Sequence, residues 1–161
     1  MRIFGKSLSE YIAFQKIFLI LIAVFFLVRL GLSLGGVQVS VAKWISVSVI
    51  ELIGFVYYAL RVYPSGFGSY KELLVLLLIQ NLLANVLIAG AIVLAIVTGK
   101  DNIYSLPEFS GGGDGKTWQH AGAHIVLAGI VLSVLLWLVG MLVVLITKKV
   151  GGGKTASAGA A

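Results

Sequence analysis

The chain contains no cysteine, which excludes disulfides, iron–sulfur clusters and thiolate zinc sites. It has only two histidines and six acidic residues in 161 positions, so carboxylate- and imidazole-rich catalytic centres have little to draw on. Charged residues make up 11% of the chain, where a soluble domain carries about 25%. A surface cannot be kept in water with so little charge when 60% of the residues are hydrophobic. The length leaves no room for a sizeable soluble domain beside the apolar segments.

What the chain does have is four apolar runs, at about 12–34, 44–63, 73–97 and 118–147. Each reaches the ~20 residues needed to cross a hydrocarbon core ~30 Å thick. Lipid offers no partner for backbone groups, so each run is expected to be a helix. None shows the alternation of a membrane β-barrel strand. The first run is too long for a signal-peptide core and holds Arg29, so a retained helix is expected. The predicted architecture is an all-α integral membrane protein, an antiparallel bundle of four transmembrane helices over residues 1–150. The glycine- and alanine-rich stretch 151–161 is predicted to be a disordered cytoplasmic tail.

The net charge is +6, yet the basic residues flank the spans and form no basic face for nucleic acid. With four spans both termini share a side, and that side collects Arg2, Lys6, Lys16, Arg61, Lys71, Lys148, Lys149 and Lys154. The opposite side holds Lys43, Lys100 and Lys116. The excess predicts cytoplasmic N- and C-termini in a bacterial-type inner (plasma) membrane. Ser7–Glu10 and Ser69–Glu72 match the capping-box pattern at helix starts. Trp44, Tyr63, Tyr70, Tyr104 and Trp118 fall near span ends, as interfacial anchors do. The connection from Gly99 to Thr117, with Pro107 and Gly111–Gly113, has the composition of a mobile external loop.

Gly115-Lys116-Thr117 and Gly153-Lys154-Thr155 imitate a phosphate-binding loop. That loop needs a glycine five positions earlier, where this chain has Ser110 and Lys148. No nucleotide cofactor is expected. His120 and His124 stand one turn apart, on one helical face, which suits two ligands of one small metal ion. They cannot supply both axial ligands of a haem, which approach from opposite sides of its ring. A bis-His haem within one subunit is therefore excluded. Any further metal ligand has to come from Glu51, Asp101, Glu108 or Asp114.

Inside the runs stand Arg29 and Glu51, each costing ~2.5–3.5 kcal/mol at a helix centre unless it meets a partner or a cavity. At 1.5 Å per residue both lie roughly 8–10 Å below the external surface. Their shared depth predicts a buried ion pair between the first two helices, or else a binding or transport site. Gln80, Asn81 and Asn85 share a face of the third helix with Ala84, Ala91 and Ala95, as expected for an interior face. On the fourth helix Gly122, Gly129, Ser133 and Gly140 form a small-residue stripe for close helix packing. At 3.6 residues per turn the two histidines point away from that stripe.

Three functions fit these residues. The first is a non-enzymatic accessory, assembly or structural subunit of a membrane complex, with other membrane subunits or further copies as partners. The second is a small transporter or channel using Arg29, Glu51 and the amides of the third helix. The third is a metal or redox site at His120 and His124.

Overall fold

Because each apolar run must satisfy its own backbone in lipid, the runs set the helices. The computed structural model describes residues 2–158, with side chains through Lys149. Four stretches are long and apolar enough to cross a membrane: Leu8–Leu34, Val39–Arg61, Tyr70–Thr98 and Trp118–Lys149. The chain is mostly helical and carries the composition of a multi-pass membrane protein.

Helix α1 spans Leu8–Leu34 and starts earlier than the hydrophobic run. Its start is set by Ser7. The Ser7 N–H donates to the Glu10 carboxylate at 2.7 Å, and the Glu10 N–H donates back to the Ser7 hydroxyl. Before it, β1 (Arg2–Ile3) pairs antiparallel with β2 (Lys6–Ser7). The two residues between them, Phe4 and Gly5, both have positive φ, 50° and 85°. Such a turn matches strand twist in a two-residue hairpin, and Gly5 adopts it without strain. The Tyr11 hydroxyl donates to the Ile3 carbonyl at 3.0 Å and fastens this hairpin to α1.

The second stretch starts before the predicted 44–63, and a break at 43–46 takes only the first three residues of that range. A four-residue turn, α2 (Val39–Ala42), precedes α3 (Val47–Arg61). Ser46 restarts the helix by accepting the Val49 N–H on its hydroxyl. The 15 residues of α3 reach only ~22 Å, and α2 extends the apolar stretch to Val39–Arg61.

Helix α4 (Tyr70–Thr98) is the central element. Of its most apolar stretch 56% is buried, against 17% for α1. It packs against α1, α3 and the whole of the fourth span. At its start the Ser69 N–H donates to the Glu72 carboxylate at 2.7 Å. At its end Gly99 takes a left-handed φ of 71°, and its N–H closes on the Ala95 carbonyl.

The fourth span changes pitch partway. It runs as α5 (Trp118–Ala123), a π-helical segment (His124–Val131) and α6 (Leu132–Ala158). Thus α6 continues through 151–158, where the sequence predicts a disordered tail. Residues 159–161, the rest of that predicted tail, lie outside the described residues.

One end of the molecule gathers the hairpin, the 62–69 turn and the Lys148 region. Lys6 lies over the Phe67 ring at 4.5 Å, Lys71 over Phe4 at 5.6 Å, and Lys148 over Tyr70 at 4.1 Å. At the other end the Ile103 N–H donates to the Ser33 hydroxyl at 2.8 Å.

Candidate functional site

Arg29 and Glu51 do not meet. Among the described residues the ion pairs are Lys6–Glu10 and Lys116–Asp101. The predicted Arg29–Glu51 pair is not formed, because the two stand at different levels: Gly54, three residues from Glu51, faces Phe18, whereas Arg29 is three turns further along α1, beside Tyr104 and Phe109.

Arg29 turns into the connection between α4 and the fourth span, residues 99–117. It is 8% exposed, and its guanidinium sits 5.1 Å from the ring centres of both Tyr104 and Phe109. Tyr104 stacks in turn on Phe26 at 5.4 Å. Two aromatic faces thus stabilise the cation in place of a carboxylate. Burial pushes the Tyr104 phenol up to about 12, against the opposing pull of the guanidinium, so it stays neutral and supplies no counter-charge.

This arrangement corrects two expectations. Tyr104 is a buried core residue and no interfacial anchor, whereas Trp44 and Trp118 are widely exposed as anchors are. The connection is also pinned where composition predicts mobility. Asn102 donates through Nδ2 to the Ala91 carbonyl at 2.7 Å and accepts the Tyr104 N–H on Oδ1. The Ser105 hydroxyl accepts the Asn102 N–H. Ile103 is fully buried among α1 and α4 side chains. An apolar pair bracketed by Asn and Ser, within a polar loop, is the sequence signal that marks this plug. The imitation phosphate loop at 115–117 is structural as well. Lys116 pairs with Asp101 at 2.9 Å, which raises the lysine pKa, and the Thr117 hydroxyl caps α5 by accepting the His120 N–H. The similar stretch at 153–155 has its side chains outside the described residues.

Glu51 turns into a groove of about 280 Å³ whose walls come from α3, α4 and α6. Ser48, Leu52, Asn81, Leu132 and Leu136 line it with Glu51. The main-chain carbonyl of Glu51 accepts from Gln80 Nε2 at 2.9 Å. This bond is possible because Gly54, one turn on, leaves room for the Gln80 side chain.

The amides of α4 are all buried, as their shared face predicts. Asn81 Nδ2 donates to the Ser133 hydroxyl at 3.0 Å, and that hydroxyl donates to the Gly129 carbonyl at 2.6 Å. Asn85 Nδ2 donates to the Asn81 carbonyl at 2.9 Å. Asn85 Oδ1 then faces His124 Nδ1 at 2.9 Å. The polar ladder therefore runs from Ser133 through α4 to His124.

The π segment reconciles the histidines with the small-residue stripe. In an unbroken α-helix residues 124 and 129 would stand roughly 140° apart. The i→i+5 pattern of a π segment brings them onto one side. His124 and Gly129 both meet α4 at Asn85. Ser133 is buried there too, and Gly140 abuts Leu73 and Phe55. Gly122 lies above the change of pitch and has open space beside it, so it does not belong to the packing stripe. His120 donates to nothing on α4; its Nδ1 lies 2.9 Å from the Gly115 carbonyl. The two imidazoles are 5.0 Å apart between centres. No group of three or more His, Asp and Glu converges among the described residues, so neither Glu51 nor the loop acids complete a metal site with them.

Comparison with protein-family models, with curated proteins and with solved structures finds no match to this chain.

Proposed function

We propose that the chain is a non-enzymatic accessory, assembly or structural subunit of a membrane complex, in a bacterial-type inner (plasma) membrane. Its four helices form an antiparallel bundle with both termini cytoplasmic. The observation that carries this is the use of the intramembrane polar groups. Gln80, Asn81 and Asn85 each spend a hydrogen bond on a neighbouring helix or on the ladder that joins it. These are ties that fix helix against helix. Arg29 is likewise committed, clamping the external connection under two rings.

The bundle topology draws support from the two ends. Residues 2–7, 62–71 and Lys148 meet at one, and Ser33 meets Ile103 at the other. The first end carries stacked lysines, in keeping with the cytoplasmic excess of cations. Extraction into native-lipid discs followed by native mass analysis tests the function. A second membrane protein, or further copies of this chain, is expected in the particle. A strictly monomeric particle without company overturns the proposal.

The Glu51 groove favours a second function, a small transporter or channel. Asn81 Oδ1 is buried beside that groove without a hydrogen-bond partner, and Glu51 has no cation within pairing distance among the described residues. Arg29 is not part of this path. In proteoliposomes an ion or solute flux would be expected to fall at least tenfold in Glu51→Gln. Flux unchanged by that substitution removes the transport function.

A further inference from the structure

The two histidines share a hollow of about 190 Å³ with Ala123, Leu127 and Ala128. Their tautomers follow from the hydrogen bonds around them. Asn85 Nδ2 is committed to the Asn81 carbonyl, which only accepts, so the amide cannot turn over. Its Oδ1 therefore faces His124, and His124 Nδ1 must carry the proton that it donates. His120 Nδ1 faces the Gly115 carbonyl, another pure acceptor, and must carry a proton as well. When either ring is neutral, its lone pair is thereby left on Nε2.

Two imidazoles with Nδ1–H anchored on carbonyl oxygens and Nε2 free is the arrangement found behind metal-ligating histidines. The outer partner fixes the ring and raises its basicity. The rings are on consecutive turns, 5.0 Å between centres, and line one hollow. The π segment that begins at His124 turns this ring onto Asn85 while Gly129 keeps its own contact with α4. Such segments recur at functional sites.

From this we infer that His120 and His124 form an open two-imidazole site for a divalent late transition-metal ion, held through both Nε2 atoms at the external end of the fourth span. Imidazole nitrogen suits Cu²⁺, Ni²⁺ and Zn²⁺, with Cu²⁺ bound most tightly of the series. No third His, Asp or Glu joins the pair among the described residues, so the remaining positions belong to water or an incoming ligand. The site is thus built for exchange with the medium and not for a closed structural centre. Asn85 is a positioning residue: it holds His124 in the ligating tautomer without touching the ion. The inference does not depend on the chain being an accessory subunit, since a metal can be read out on the isolated protein.

The test is titration of the purified, detergent-solubilised full chain with Cu²⁺, followed by electron paramagnetic resonance. One equivalent is expected to give a signal split by two nitrogens. His120→Ala or His124→Ala should each weaken binding at least tenfold and remove one nitrogen from the splitting. Asn85→Leu should weaken it about 10–100-fold with both nitrogens retained, the scale seen for outer-shell partners. Helical circular dichroism of each variant separates loss of the site from loss of the fold. Absence of stoichiometric binding by the folded chain overturns the inference. So does an unchanged signal in the folded His120→Ala/His124→Ala double variant, which would place the ion on the terminal amine or elsewhere.

Discussion

Gly115→Val is expected to destabilise the protein by about 1–3 kcal/mol, the usual cost of forcing extra atoms into a packed contact. A Cβ at position 115 would run into the main-chain carbonyl of Ser105, with the Ser105 Cα 3.0 Å away. Side chains can swing aside; this backbone cannot. The Asn102–Ser105 turn is held by hydrogen bonds to Ala91 and Ser33 and by the buried Ile103. Accommodation therefore means lifting the 113–117 stretch of chain, and with it the Gly115 carbonyl that orients His120. Thermal unfolding in detergent and limited proteolysis of the 99–117 connection measure the two consequences. Earlier unfolding and faster cleavage are expected together. Gly113→Ala is the control: nothing lies within 4 Å of its would-be Cβ, so a change within about 0.5 kcal/mol is expected. Equal losses at the two positions would refute the close approach of Gly115 to Ser105 as the cause.

The helices were legible in the sequence because hydrophobic length and the capping pattern are local. Ser7 and Glu10 begin α1 four residues before the apolar run, through contacts that involve only their own neighbours. Level along the bundle was not, since it depends on how α1 and α3 slide past each other: Glu51 stands near Phe18, with Arg29 three turns further on. Direction around the helix axis was not legible either. α3 is flanked by α1 on one side and α6 on another, and Glu51 lines the groove that α6 closes. The choice between those neighbours is made by the packing of all four spans.

The histidine–glycine conflict on the fourth span had the same origin in a different form. A fixed 3.6 period assigns His124 and Gly129 to different faces, and only a local change of pitch puts both against Asn85. The 99–117 connection misled through composition. Three glycines and a proline outweigh the four residues Asn102–Ser105, yet those four carry the buried contacts. Polar side chains that bond their own turn release an apolar pair to enter the core, and average composition cannot register that.

The polar ladder is the other place where a single substitution has a large expected effect. Ser133 is fully buried between α6 and α4, where its hydroxyl accepts from Asn81 and donates to Gly129. Ser133→Leu removes that acceptor and adds bulk where α6 meets α4 at Asn81 and Leu77. Interhelical hydrogen bonds in membranes contribute about 0.6–2 kcal/mol, and overpacking costs about 1–3 kcal/mol. A combined loss of roughly 2–5 kcal/mol is expected on those two scales. Ser133→Ala isolates the first effect and should lose only about 0.6–2 kcal/mol. Unfolding of both variants in mixed micelles measures the difference. If leucine proves no worse than alanine, the span does not approach α4 closely at this level. The change of pitch would then fail as the reason that His124, Gly129 and Ser133 share a side. If the leucine variant alone also frees His124 for alkylation at Nδ1, the ladder transmits packing at Ser133 to the imidazole, through the connected bonds of Asn81 and Asn85.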